Sequence, residues 1–229
     1  MTVRVLAALL VLTVQSSGPN VDVSNLPGAQ SETAITIDPT NDRALLAGSN
    51  SFPEGTMRAY GSTDGGETWQ DHRPGAQRDV HSLAWHPRAE GRAYEAGGGG
   101  PAFSEDAGES WRPADDGLDR RYTWAVAVDP DDPGLWYVSA STGPFAAHGG
   151  RDPQARLFRR GAGEPWSPLA DGLPEPLPAM PYALVAAGGR LFAGLADGQI
   201  WESRDRGDSW RALRAERMPG LRALAWSSS

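Results

Sequence analysis

An acid, a hydroxyl and a tryptophan recur three times at one spacing. The copies are Ser62-Thr63-Asp64-Gly65-Gly66-Glu67-Thr68-Trp69, Ser104-Glu105-Asp106-Ala107-Gly108-Glu109-Ser110-Trp111 and Ser203-Arg204-Asp205-Arg206-Gly207-Asp208-Ser209-Trp210. Each reads S-x-D-x-G-x-[ST]-W. A carboxylate beside a hydroxyl is the raw material of acid–base or nucleophilic catalysis. The spacing points to a different role. Ser and Asp two residues apart, followed by Gly, build a tight turn in which short polar side chains bond nearby backbone N–H groups and Gly takes a positive φ. Asp64, Asp106 and Asp205 are then consumed by their own turns, and Trp69, Trp111 and Trp210 pack between sheets with an indole N–H that needs a partner.

Working back from each box, the same elements recur: an apolar run, a turn often containing Asp-Pro or His-Pro, a second apolar run, and a third strand leading into the box. The first unit has Ala34 to Ile37 before Asp38-Pro39, then Ala44 to Gly48, then Met57 to Tyr60. The second has Ser82 to Trp85 before His86-Pro87, then Arg92 to Gly97, then Pro101 to Phe103. The third has Trp124 to Val128 before Asp129-Pro130, then Leu135 to Val138, and ends in a decayed box from Arg159 to Trp166 in which only Gly163 and Trp166 survive. The fourth has Tyr182 to Ala186, Leu191 to Gly194 and Gln199 to Trp201. Trp69, Trp111, Trp166 and Trp210 stand 42, 55 and 44 residues apart, close to the period of a propeller blade, and an insertion at 142–153 accounts for the long interval.

Short alternating runs bounded by Gly and Pro predict an all-β protein: a β-propeller of four-stranded antiparallel blades, with four recognisable repeats and a partial fifth. The partial unit is Leu221-Arg222-Ala223-Leu224-Ala225-Trp226, which reads as a first strand. Two closures stand open: N-terminal residues such as Val21 to Ser24 complete that blade, or the propeller is partial.

The boxes resemble the Asp-box, or BNR, repeat of sialidases, sortilin-type receptors, some glycoside hydrolases and an assembly factor of photosystem II. The resemblance implies a propeller whose boxes lie on the turn between the third and fourth strands of each blade, away from the usual ligand face. The function it implies is sought on the opposite, axial face, where first strands begin. Aligned there, Thr33, His81, Trp124, Tyr182 and Arg222 share one position, with Glu32, Arg78, Asp79, Arg121 and Tyr122 just upstream. Loops after the second strands add Phe52, Glu54, Phe145, His148, Arg151 and Asp152. Aromatic platforms beside Arg and carboxylates suit a sugar or another polar ligand; filling a narrow axial channel is the other use of such residues.

Two functional classes follow. The first is a binding or scaffold module with a glycan or protein ligand. The second is a sialidase-like hydrolase, which by the resemblance takes three converging arginines, a tyrosine nucleophile assisted by Glu and an acid catalyst Asp. Tyr182, Glu32, Asp79, Arg78, Arg121 and Arg222 supply those types, but the Arg-Ile-Pro motif of sialidases is absent. No cofactor or metal is expected: His81 and His86 lack an evident third ligand, and the acidic runs at Asp115-Asp116 and 129–132 lack calcium-loop spacing.

Residues 1–16 resemble a signal peptide, with Arg4 ahead of an apolar core from Val5 to Val14, leaving 17–229 as one propeller domain. That core is too short to span a bilayer as a helix. A signal peptide would make the protein secreted or periplasmic; without one it is cytoplasmic. There is no Cys, so no disulfide framework exists, and all 21 basic residues are Arg, a hint of a GC-rich bacterial genome. A net charge of −8 argues against a nucleic-acid partner. Nothing in the sequence sets the oligomeric state.

Overall fold

The computed structural model describes residues 23, 29–52, 57–71, 74–149, 152–213 and 220–226. Among the described residues, sixteen strands form four antiparallel sheets of four, each ordered as in the chain. Blade 1 holds β1 (Ala29–Asp38), β2 (Asn41–Phe52), β3 (Met57–Ser62) and β4 (Gln70–Asp71). Blade 2 holds β5 (Val80–Trp85), β6 (Ala93–Gly97), β7 (Gly100–Ser104) and β8 (Arg112–Pro113). Blade 3 holds β9 (Tyr122–Val128), β10 (Trp136–Ser141), β11 (Arg156–Arg160) and β12 (Ser167–Leu169). Blade 4 holds β13 (Pro181–Ala187), β14 (Arg190–Leu195), β15 (Ile200–Ser203) and β16 (Arg211–Ala212). The predicted insertion carries the only helix among the described residues, α1 (Pro144–His148). The protein is an all-β propeller of four blades.

Alternation along each strand sends one set of side chains to the preceding blade and the other to the following one. Leu46 meets Val80, Trp85 and Trp111 between blades 1 and 2. Tyr94 meets Trp136, Val138 and Trp166 between blades 2 and 3, and Tyr137 and Leu157 meet Leu184, Leu191 and Trp210 between blades 3 and 4. Inner strands pack in the order β1, β5, β9, β13, and β13 makes no comparable contact with β1. On the far side of blade 1, Ile35 and Ile37 are 65% and 55% exposed. Residues 220–226 form no strand but lie on the far side of blade 4: Leu221 N–H donates to Leu195 O at 3.2 Å, and Trp226 stacks on Phe192. The partial fifth unit is thus present as a packed segment without a ladder. The expected signal segment and Val21, Asp22 and Ser24 lie outside the described residues.

The boxes are turns, as their spacing predicts. In all three, the Ser hydroxyl donates to the first Asp oxygen at 2.7 or 2.8 Å and accepts the N–H of Gly66, Gly108 or Gly207. The Asp accepts both the amide and the hydroxyl of Thr68, Ser110 or Ser209. Trp69 and Trp210 each donate their indole N–H to the box glycine carbonyl at 3.1 Å, and Trp166 donates to Ala114 O. Register corrects the decayed box. Arg160 faces Trp136 as Ser104 faces Ala93, so Arg160 and not Arg159 holds the Ser position, and this turn is one residue shorter than the others.

Donation from Ser209 and Ser203 brings the Asp205 carboxyl down to about 2 from the ordinary 3.8, and Thr68 and Ser62 hold Asp64 lower still. A folded-state pKa below the unfolded one gives stability that is complete above about pH 4 and is lost as pH falls through about 2. Asp205→Asn is therefore expected to narrow its gap from wild type in urea midpoint as pH drops across that window. A gap independent of pH would mean that the carboxylate charge contributes nothing.

A second inter-blade device is not contained in the boxes. Trp111, Trp166 and Trp210 donate their backbone N–H to Pro74, Asp116 and Asp171 of the preceding blade's exit loop, at 2.8 to 2.9 Å. The next residue in each case is Gly75, Gly117 or Gly172 at positive φ, where a Cβ would stand 2.0, 2.6 and 2.1 Å from the tryptophan carbonyl oxygen. The pair always lies five and six residues after the previous box Trp. After Trp210 those positions are Ala215 and Glu216.

Candidate ligand site on the axial face

Inner strands begin on the face opposite the boxes, and pairing register makes His81, Trp124 and Tyr182 equivalent. They follow one another around the axis. His81 stacks on Trp124 with centroids 4.2 Å apart and planes 19° apart, and Trp124 meets Tyr182 edge-on at 5.0 Å. The guanidinium of Arg222 then lies 4.2 Å from the Tyr182 ring centre. Thr33, at the same position in blade 1, is exposed.

The hydrogen bonds assign most of the protons. His81 Nδ1 lies 2.7 Å from Thr123 O, which can only accept, so Nδ1 carries hydrogen. Its Nε2 lies 3.1 Å from Asp79 Oδ1. Asp79 is seated by the glycine run Gly97 to Gly100: Gly98 N–H donates to Asp79 O, and a Cβ at Gly98 would reach 2.0 Å from Asp79 Oδ2. Thr123, wholly buried, exchanges hydrogen bonds with Gly97 through its hydroxyl and ties blade 3 to blade 2.

The insertion completes the site. Tyr182 donates its hydroxyl to Ala147 O at 3.1 Å, so the same oxygen accepts from His148 Nδ1 at 2.8 Å. His148 Nε2 shares a hydrogen bond with the Tyr122 hydroxyl, also at 2.8 Å. The His148 and Tyr182 rings lie within 4° of parallel, forming a flat polar-edged platform against which Trp124 stands edge-on. A pocket of about 280 Å³ opens beside this platform, lined by Ala147, His148, Met180, Tyr182, Asp197 and Arg222. Asp197, its one carboxylate, accepts from the Gln199 amide at 3.1 Å and side chain at 2.6 Å.

Several sequence candidates stand elsewhere. Arg121 is salt-bridged to Asp115 at 2.7 Å on the rim, and Arg78 is exposed. With Arg222 on Tyr182, the arginines form no shared cluster. The Glu32 and Phe52 side chains, Glu54 and Arg151 lie outside what is described. Asp152 is bonded by Gln154, and His86 is a buried turn residue that accepts from Arg88 and Ala89, as its Pro neighbour predicts. No group of three metal-binding side chains occurs among the described residues.

Two features escaped the sequence reading. Asp197 carries no motif. Glu95 is the one acid in the apolar run of β6, and that isolation was a usable signal. It is wholly buried, its Oε1 accepts Gln77 N–H at 2.6 Å, and Oε2 has no partner among the described residues. Burial pushes its pKa up to about 8.

No family model matches the chain, and no curated protein sequence matches it. Solved structures do. An ancestral GH74 enzyme aligns with TM-score 0.59 and 14% identity over 80% of this chain and 27% of its own. The GH74 xyloglucanase from Xanthomonas campestris aligns with TM-score 0.58 and 20% identity over 79% and 29%. YCF48 bound to D1 peptide aligns at TM-score 0.43 and 16% identity over 73% and 49%, too distant to bear on function. At these identities the likeness to the GH74 structures is one of fold, and the chain spans less than a third of their length.

Proposed function

We propose that the chain is a ligand-binding propeller module that takes a sugar-like, polyhydroxylated ligand in the axial pocket beside His148 and Tyr182. The observation that carries this is the parallel pair of His148 and Tyr182 rings in the pocket wall, with the Arg222 guanidinium lying over the Tyr182 ring. The Arg222 guanidinium and the Asp197 carboxylate line the pocket and direct hydrogen bonds to sugar hydroxyl groups, while the exposed His148 ring offers an apolar contact. The fold-sharing xyloglucanase acts, by its name, on a polysaccharide, which makes xyloglucan oligosaccharides a natural first probe.

Binding is favoured over hydrolysis by the carboxylate inventory. Glycoside cleavage normally takes two carboxyl groups flanking the scissile bond, and the pocket presents one, which is held in its own turn. The Tyr182 hydroxyl is engaged on both sides and is not poised as a nucleophile.

Calorimetric titration with neutral and acidic oligosaccharides, and with a peptide library as a separate arm, tests the reading. Tyr182→Ala and Arg222→Ala are expected to weaken binding of the preferred sugar at least about tenfold, the loss of roughly 1.4 kcal/mol. Asp106→Asn, in a box, is expected to leave it unchanged while the protein stays folded. Release of reducing ends by the wild type would replace the binding reading with an enzymatic one, and exclusive peptide binding would replace the ligand class. Export is part of the proposal, and N-terminal mass spectrometry of the expressed protein tests removal of residues 1–16.

A further inference from the structure

We infer that the open side of the propeller is an interface for a second copy of this chain, joined head to tail so that blade 1 of one copy packs on the blade 4 side of the other. The inference is independent of what the axial pocket binds.

Every internal junction is built one way. The inner strand of the later blade turns two apolar positions, bulky in all but Ala186, toward the earlier blade: Leu83 and Trp85 in β5, Val126 and Val128 in β9, Leu184 and Ala186 in β13. The inner strand of the earlier blade answers with small residues: Ala34 and Thr36 in β1, Ser82 and Ala84 in β5, Ala125 and Ala127 in β9. In blade 1 the two bulky positions are Ile35 and Ile37, both exposed. The matching small pair stands at the other end of the arc. Residues 221–226 lie on blade 4 where a next inner strand would run, with Leu224 and Trp226 turned inward onto Gly194 and Phe192, and Ala223 and Ala225 exposed.

Three of the four most exposed large apolar side chains among the described residues, Ile35, Ile37 and Trp226, fall on these two surfaces. Buried apolar area is the main source of association energy, and isolated patches of this kind mark interfaces. The two surfaces differ and fit one another, so the contact is heterologous, and a rotation that closes at two copies uses both junctions. The junction also sets Thr33 of the second copy next after Arg222 in the axial series.

Light-scattering mass on the full chain, from about 1 to about 100 µM, is expected to approach twice the chain mass. Ile35→Glu combined with Ile37→Glu is expected to return it to one chain with unchanged circular dichroism, because both side chains are exposed. Since the chain has no Cys, Ile37→Cys with Ala225→Cys gives a second readout that does not depend on the charged variant folding. Oxidation is expected to produce a covalent dimer. A wild type that stays at one chain mass throughout, or a disulfide that forms within one chain, overturns the inference, the latter showing that the propeller closes on itself.

Discussion

Glu95→Gln will stabilise this protein at alkaline pH and leave it nearly unchanged in acid. Glu95 sits on β6 at the junction with blade 1, where the equivalent residues of the other blades are Ala47, Val138 and Ala193. A carboxyl with no access to water and one amide donor is held neutral, with its pKa near 8 against an ordinary 4.5. When the folded-state pKa of an acid is raised, the folded state holds a proton that the unfolded state has released. Stability therefore falls as pH rises from about 4.5 to about 8 and then levels off. At 1.36 kcal/mol per pH unit the full shift corresponds to about 5 kcal/mol.

Gln keeps an acceptor for the Gln77 amide and has no charge to bury. Its NH2 group still needs an acceptor, so the expected gain at pH 9 is smaller, about 3 kcal/mol. Urea unfolding of both proteins from pH 4 to pH 9 measures it. The difference in stability should open across that range, and a difference that stays flat would mean Glu95 is already ionised and paired.

Gly172→Ala is expected to cost about 3 kcal/mol, and Gly163→Ala only about 1 kcal/mol. Both glycines have positive φ, at +82° and +74°, so both variants carry the same backbone strain. Around Gly163 there is open space. At Gly172 the new methyl meets the Trp210 carbonyl oxygen at 2.1 Å and wedges apart the loop whose Asp171 carbonyl accepts the Trp210 amide. Thermal melts of the two variants separate strain from displacement. Equal losses would show that the clasp between blades has room to yield.

This clasp also marks the limit of local reading. The boxes were legible because each is closed by its own side chains within eight residues, so spacing alone specifies the geometry. The Pro-Gly or Asp-Gly step after each Trp is just as regular, but its partner is the Trp of the next blade about forty residues away. Without the blade-to-blade approach, that step reads as an ordinary turn. The one-residue deletion in the third box was hidden for a related reason: Arg159 and Arg160 are interchangeable in a motif, and only the pairing of Arg160 with Trp136 separates them.

The axial candidates divide in the same way. Aligning inner strands was enough to put His81, Trp124, Tyr182 and Arg222 in one series, because strand periodicity and repeat length carry that information. Nothing in the alignment distinguished Arg121, which bends away to Asp115, from Arg222, which lies on Tyr182. A long side chain at a loop can turn to the rim or to the axis, and the nearest opposite charge or ring decides.

By itself, then, the sequence determined an all-β chain of four repeated blade units with a partial fifth, since these follow from periodicity and short-range turn chemistry, while the resemblance supplied the expectation that boxes and inner-strand starts lie on opposite faces. Only the tertiary structure decided which residues act together. It carried His148 from the insertion to Tyr122 and Tyr182, buried Glu95 without a charge partner, and left Ile35 and Ile37 facing outward across the open side. Each of these depends on groups far apart in the chain meeting or failing to meet. Distances between blades are set by packing of whole sheets, which no local pattern encodes.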